Sequence, residues 1–155
     1  MVIQRWQSVL LLIAVVLMAL FSWLSLGQVA TPDVTYDFSA LGYFPEGEYP
    51  PGMAPAAIST WWFFAVSVLS ALLPLIAIFT FRHYRLQERL CLIESLILAC
   101  VIVIGAVLGY VSIDGSQVSW SSTVCAPFIS LIATIMAYQR ICADHRKLRD
   151  ADRLR

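Results

Sequence analysis

Charge is scarce in this chain, and the residue clusters that chemistry needs are scarcer. Only 13% of its 155 residues are Asp, Glu, Lys or Arg, and the formal net charge is zero. Soluble domains carry roughly 25% charged residues, so a soluble domain is excluded. With no net positive charge, there is no bulk electrostatic argument for a nucleic-acid partner. The histidines, His83 and His145, stand far apart, and the cysteines, Cys91, Cys100, Cys125 and Cys142, show no C-x-x-C spacing. A tetrahedral metal site needs clustered ligands, so no metal is expected and the cysteines read as small buried hydrophobes. There is no Ser-His-Asp set, no glycine loop for phosphate and no H-E-x-x-H, so neither a cofactor nor an enzyme is expected. External cysteine pairs of the kind a membrane thiol oxidoreductase uses are also missing.

What the chain has instead is apolar length: 60% of its residues are hydrophobic. Four apolar runs occur, at about 8–26, 58–81, 90–113 and 118–138. About 20 apolar residues suffice for a helix to cross a hydrocarbon core. The first run is longer than the ~7–15 residues of a signal-peptide core and is expected to stay in the chain as a span. The expected fold is therefore all-α: one integral membrane domain, a four-helix transmembrane bundle with antiparallel neighbours where connections are short. Segment 27–57 is punctuated by Pro32, Gly42, Pro45, Gly47, Pro50, Pro51, Gly52 and Pro55, which excludes a long helix there. It reads as an irregular or short-stranded outer loop, with Val34 to Phe38 alternating weakly as a strand would. Its acidic residues do not have EF-hand spacing and read as a solvated surface, not a calcium site. Asp114-Gly115-Ser116 reads as a tight turn between the last two runs.

Orientation follows from where the basic residues fall. All ten lie at the N-terminus, in the central stretch Arg82 to Arg89, or in the tail from Arg140. The other two connections hold Asp33, Asp37, Glu46, Glu48 and Asp114 and no Lys or Arg. Cytoplasmic loops carry the positive excess, so both chain ends and the central turn are expected to be cytoplasmic. Arg82, Arg85, Arg89, Arg146, Lys147 and Arg149 are the candidates for contact with lipid or a protein partner.

Glu94 is the sharpest candidate functional residue, because it is the one ionisable side chain in an otherwise apolar run. At 100° per residue it shares a helix face with Val101, Gly105 and Ser112, with Leu98 and Gly109 close by. The competing reading places it about four residues from the cytoplasmic start of its span, paired with Arg85, Arg89 or Arg5. That shallow depth favours interfacial pairing. Gly105-x-x-x-Gly109 suits close helix packing within the chain, and Pro74 and Pro127 are expected inside spans two and four, where membrane helices tolerate a kink. Small or weakly polar stripes recur at helical spacing: Ser8, Ala19 and Ser22; Thr60, Ser67, Ser70 and Pro74; Thr123, Pro127, Ser130, Thr134 and Tyr138. All are expected to face inward.

Ile3-Gln4-Arg5-Trp6-Gln7 with Leu10-Leu11-Leu12, the central Leu86-Gln87-Glu88-Arg89-Leu90-Cys91, Pro127 with Arg140-Ile141, and the ending Asp152-Arg153-Leu154-Arg155 resemble a bacterial family of small inner-membrane proteins, domain of unknown function family 4293. The resemblance spans essentially the whole chain. It implies four spans in a bacterial inner membrane and assigns no activity. Two readings result: a non-enzymatic scaffold or accessory subunit, its partners membrane lipid and a membrane protein or a second copy, and a small transporter or channel subunit in which Glu94 binds a proton or cation.

Overall fold

The computed structural model describes residues 2–31, 34–47, 56–80, 83–111 and 117–153, with 2–5, 111 and 148–153 as backbone only. The expected turn at Asp114-Gly115-Ser116 and the side chains of Arg82 and Arg149 lie outside the described residues. Four helices carry the apolar runs: α1 (Val2–Trp23), α2 (Trp61–Phe79), α3 (Tyr84–Val111) and α4 (Cys125–Arg153). Each is long and apolar enough to cross a membrane.

The helices form one bundle because their buried positions repeat at four- and three-residue steps. The sequence runs Gln7, Leu11, Ala14, Met18 and Phe21 in α1; Phe63, Ser67, Ser70, Pro74 and Ala77 in α2; and Gln87, Cys91, Glu94, Leu98 and Val101 in α3. Pro127, Ser130, Thr134, Ala137 and Ile141 continue the pattern in α4. A 3.5-residue repeat keeps one seam of each helix against its neighbours. α1 packs on α2 and α4, and α3 packs on the same two, closing a ring in which sequence neighbours are antiparallel. Many of the buried positions are small or polar, whereas Leu12, Val16, Leu72, Ile76, Leu96, Val103, Ile129 and Ile132 are among those exposed. The bundle is therefore more polar inside than out.

The four expected helices are present, but the chain is not purely all-α: the short-stranded outer loop is part of a full sheet. Five strands form an antiparallel sheet over one end of the bundle: β1 (Ser25–Ala30), β2 (Thr35–Ser39), β3 (Gly42–Glu46), β4 (Ile58–Ser59) and β5 (Gln117–Trp120), in the order β4-β3-β2-β1-β5. Strands therefore occupy parts of four stretches: the end of the first apolar run, the outer loop, and the starts of the second and fourth runs. β-branched and aromatic residues (Val29, Thr35, Tyr36, Phe38, Tyr43, Val118 and Trp120) favour this pleated surface. Pro45 is tolerated because β4 covers only Gly42 and Tyr43, which leaves the rest of β3 as an edge. Gly42 has φ 153°, and a Cβ there would stand 2.3 Å from the Ile58 carbonyl oxygen.

The sheet is fastened to the helices at several points. Trp120, Gly27, Phe38 and Tyr43 form one cross-strand row. Phe38 stacks on Tyr43 at 4.7 Å and meets Trp120 edge-on at 6.4 Å, above the gap that Gly27 leaves. The Tyr43 hydroxyl donates to the Leu108 carbonyl at 2.6 Å, near the end of α3. Thr60 donates through its N–H to the Leu41 carbonyl at 2.8 Å and through its hydroxyl to that of Ala40 at 3.1 Å, pinning the start of α2 to the β2–β3 turn. The Ser121 N–H donates to the Leu26 carbonyl at 2.9 Å and does the same for α4.

A Cβ on Gly27 would lie 2.4 Å from the Ser119 carbonyl oxygen, a backbone atom with little room to yield. Gly27→Ala is expected to cost about 1–3 kcal/mol by overpacking β1 against β5. Thermal unfolding of the detergent-solubilised protein checks this: a lowered Tm is expected, and an unchanged Tm would contradict the strand pairing.

Candidate functional site

Two apolar clusters fill the bundle. One lies under the sheet and includes Met18, Phe21, Phe63, Leu98, Val101 and Ala126. The other lies toward the opposite end and comprises Leu11, Ala77, Cys91, Ala137 and Ile141. Between them, every helix has a small or polar residue on its buried seam. These are Ala14 on α1, Ser67, Ser70 and Pro74 on α2, Glu94 on α3, and Ser130 and Thr134 on α4. Together they form a polar layer between two apolar plugs.

Glu94 is 1% exposed, and its Oε1 accepts a hydrogen bond from Ser70 Oγ at 2.9 Å. The expected interfacial pairing with Arg85 or Arg89 is not made: both arginines are exposed, and Arg5 has no described side chain. The reason is geometric. α3 starts at Tyr84, inside the basic stretch, so Arg85 and Arg89 sit on its outer face while Glu94 falls on the seam with Cys91 and Leu98. The His145 imidazole stands 3.7 Å from the Glu88 carboxylate, and its ring stacks on Tyr84. Glu94 stands six residues beyond Glu88, about 9 Å further along α3.

Three polar atoms in this layer are buried without a hydrogen-bond partner: Glu94 Oε2, Ser130 Oγ and Thr134 Oγ1. Hydroxyls elsewhere on these helices are satisfied. Ser22 donates to the Met18 carbonyl at 2.8 Å and also approaches Ser67 Oγ at 3.0 Å, while Ser67 donates to the Phe64 carbonyl at 2.8 Å. Thr80 and Ser95 likewise bond carbonyls of their own helices. Pro74 contributes a further oxygen: lacking an N–H, it cannot supply the helical bond to the Ser70 carbonyl. The layer can therefore offer oxygen acceptors to a positively charged guest, and no nucleophile with its base is assembled in it. No group of three His, Cys, Asp or Glu suited to a metal occurs among the described residues.

The other residues singled out in the sequence separate into distinct places. Gly105 and Gly109 receive aromatic side chains, not a helix backbone: a Cβ on Gly105 would meet the Phe63 ring at 3.4 Å, and one on Gly109 the Trp120 indole at 2.1 Å. Gly105, Ala106, Pro127 and Phe128 line an apolar pocket of about 210 Å³ between α3, α4 and the sheet, and Gly109 packs on the Trp120 that also lines it. Pro127 is the third residue of α4, where no N–H is needed, so it opens the helix and does not kink it. Pro74 alone lies well inside its helix. Of the polar stripes, Ser22, Ser67, Ser70, Ser130 and Thr134 are buried, Ser8, Thr123 and Tyr138 are half-buried, and Ala19 is exposed. Arg146 and Lys147 are exposed near the far end of α4, and Gln7 donates to Asp144 across the α1–α4 contact there. The Ser70–Glu94 bond was not legible in the sequence, although the Ser67-Ser70-Pro74 stripe marked the face that makes it.

A family model described as Domain of unknown function (DUF4293) matches residues 3–154. No curated protein matches the chain.

Removing the Ser70 hydroxyl leaves Glu94 Oε1 without its donor inside the bundle. Ser70→Ala is expected to lower stability by about 1–3 kcal/mol, more if the carboxyl is ionised, because an orphaned buried acceptor bears its full desolvation cost. Chemical denaturation in detergent measures this, and a variant as stable as the parent would remove the pairing from the account.

Proposed function

The chain belongs to that family, and on this premise we propose that it is an integral membrane protein whose work is non-catalytic: a scaffold or accessory subunit that holds an outer sheet and a cytoplasmic helix end in fixed relation across a bilayer. One observation carries the reading. Small and polar residues lie between two apolar clusters inside the bundle while its outer surface is apolar, and its charged residues other than Glu94 gather toward its two ends. Lipid is the solvent that suits such a surface. Trp6 and Trp23 are exposed on α1 seventeen residues apart, about 25 Å along the axis, as aromatic belts at two interfaces would be. Trp61, Trp62 and Tyr110 are exposed at the sheet end as well.

On this reading the sheet lies outside and the basic ends inside, by the distribution of Lys and Arg. The membrane is a bacterial inner membrane, as the resemblance of the sequence implies. The contacts of Tyr43 with Leu108, Thr60 with Ala40 and Leu41, and Ser121 with Leu26 make sheet and bundle one body. A partner bound to one face would therefore be held in register with the other. Arg85, Arg89, Arg146 and Lys147 are the exposed contacts on the cytoplasmic side for anionic lipid or a protein partner.

A second reading, a small transporter or channel subunit, is favoured by one different observation, the burial of Glu94 in a polar layer. Intramembrane carboxylates mark ion and proton sites.

Two measurements test the first reading. In a cysteine-free background, a membrane-impermeant maleimide should label Gln28→Cys in intact cells and Arg146→Cys only after permeabilisation; labelling of Arg146→Cys from outside would overturn the orientation. Affinity purification should return a stoichiometric protein that is lost when Arg146, Lys147 and Arg149 are replaced by Gln. Recovery of the chain alone would set the scaffold reading aside.

A further inference from the structure

At the end of the bundle away from the sheet, three cavities of about 380, 280 and 220 Å³ lie along α3 and its contact with α4. Each is larger than the ~150 Å³ that admits a benzene ring. They share walls: Tyr138 lines the first and second, Glu88 the first and third, and Leu92 the second and third. At 100° per residue, Arg85, Arg89 and Leu92 fall within about 60° of one another on α3, as do Ile135, Gln139, Cys142 and Arg146 on α4. The cavities thus make one furrow on the outer side of the α3–α4 seam, where Leu92, Ile135 and Gln139 are exposed. Its character changes along its length. Arg85, Arg89 and Arg146 stand at the mouth, and Glu88 is the one carboxylate in the walls, with His145 3.7 Å from it. Further in are Leu92, Ser95 and Ile135, and the Ser95 hydroxyl is turned back to the Leu92 carbonyl at 2.8 Å. The mouth is level with Trp6, because the neighbouring Gln7 donates to Asp144, next to His145. From the Glu88–His145 level, Ser95 lies about 10 Å and Ile135 about 15 Å toward the sheet, close to the ~15 Å hydrocarbon depth of one leaflet.

We propose that this furrow is a binding site for one anionic phospholipid, its headgroup at Arg85, Arg89 and Arg146 and an acyl chain along Leu92, Ser95 and Ile135. The inference rests on the reading that the helices lie in lipid, and it deepens that reading by naming the partner and its place. Charge selects the headgroup. Three guanidinium groups face one carboxylate that already has His145 beside it, so the mouth is left with a positive excess. Arginine forks match phosphate oxygens, and basic pockets between membrane helices on the cytoplasmic side hold anionic headgroups. A headgroup that also carries an ammonium would bring that cation against the same arginines. Shape selects a lipid over a soluble anion, which would use the mouth alone and leave the apolar length of the furrow without a role.

Equilibrium binding of tail-labelled phosphatidylglycerol to the full, delipidated chain in uncharged detergent tests the site. Wild type should bind about one such lipid per chain, roughly tenfold or more tighter than phosphatidylcholine with the same chains. At about fivefold for each surface charge, Arg85→Gln combined with Arg146→Gln should weaken phosphatidylglycerol by roughly tenfold or more and leave phosphatidylcholine unchanged. Arg140→Gln removes the same charge from an exposed arginine outside the furrow and should leave both affinities as they are. Ser95→Phe, which fills the inner furrow, should weaken the long-chain lipid severalfold and spare its dihexanoyl analogue. Circular dichroism with gel filtration verifies folding, and the arginine variants decide the matter if Ser95→Phe does not fold. Equal affinity for the two headgroups overturns the proposal, as does an equal loss in Arg140→Gln, which would reduce it to diffuse attraction. Displacement of the lipid by glycerol phosphate at matching concentration overturns it by making the mouth a site for a soluble anion. A folded Ser95→Phe that binds the long-chain lipid as wild type does overturns it equally. Binding in detergent is read without reference to sidedness, so an empty furrow and a failed topology test are separate results.

Discussion

Apolar surroundings offer no hydrogen bonds, and the architecture follows from where each polar group finds a partner instead. Within the helices the backbone satisfies itself. The difficulty comes where the chain leaves α1 at Trp23 and returns to start α2 at Trp61 or α4 at Cys125. The sheet resolves it: β1 begins two residues after α1 ends, and β4 and β5 stop just short of α2 and of the 3₁₀ turn Ser122–Val124 that leads into α4. Backbone groups pass from helical to strand partners with little irregular chain between, and Tyr43 reaches across to the Leu108 carbonyl near the end of α3.

The same constraint makes the polar layer informative. Two apolar plugs would hold four helices together without it, and replacing buried ionic groups by apolar ones is often neutral or stabilising. Glu94, Ser130 and Thr134 therefore cost stability where they stand. Ser70 offsets part of that cost by donating to one carboxylate oxygen. The other oxygen and the two hydroxyls are left over, and leftover polar atoms at full burial are rare in folded proteins.

Much of this was legible in the residues. The four helices and their inward faces follow from apolar length and from the spacing of small residues such as Ser67, Ser70, Ser130 and Thr134. Short strands in the outer loop, and one near Val34 to Phe38, were legible, but the five-stranded sheet was not: its strands are two to six residues long, one carries both Gly42 and Pro45, and Gln117–Trp120 comes from the far side of two helices. Pairing at that separation leaves no local signature. The depth of Glu94 was misjudged because the basic stretch looked like a turn, whereas α3 already runs through it from Tyr84. Gly105 and Gly109 were read as the seat of a second helix, whereas what approaches them is the aromatic side chains of Phe63 and Trp120. Spacing shows that room has been left; it does not show for what.

The central claim is that the exposed apolar belt of the bundle faces lipid while the Glu94 layer is shut inside. Spin labels placed one at a time at Leu92, Leu96, Val103 and Val107 on α3, in protein reconstituted into bilayers, test it most directly. All four positions are exposed on the bundle surface. Collision rates with oxygen should exceed those with a water-soluble nickel chelate at every position, and most strongly near Leu96 and Val103. Greater access to the nickel chelate at those two positions would place that face in water and contradict the account.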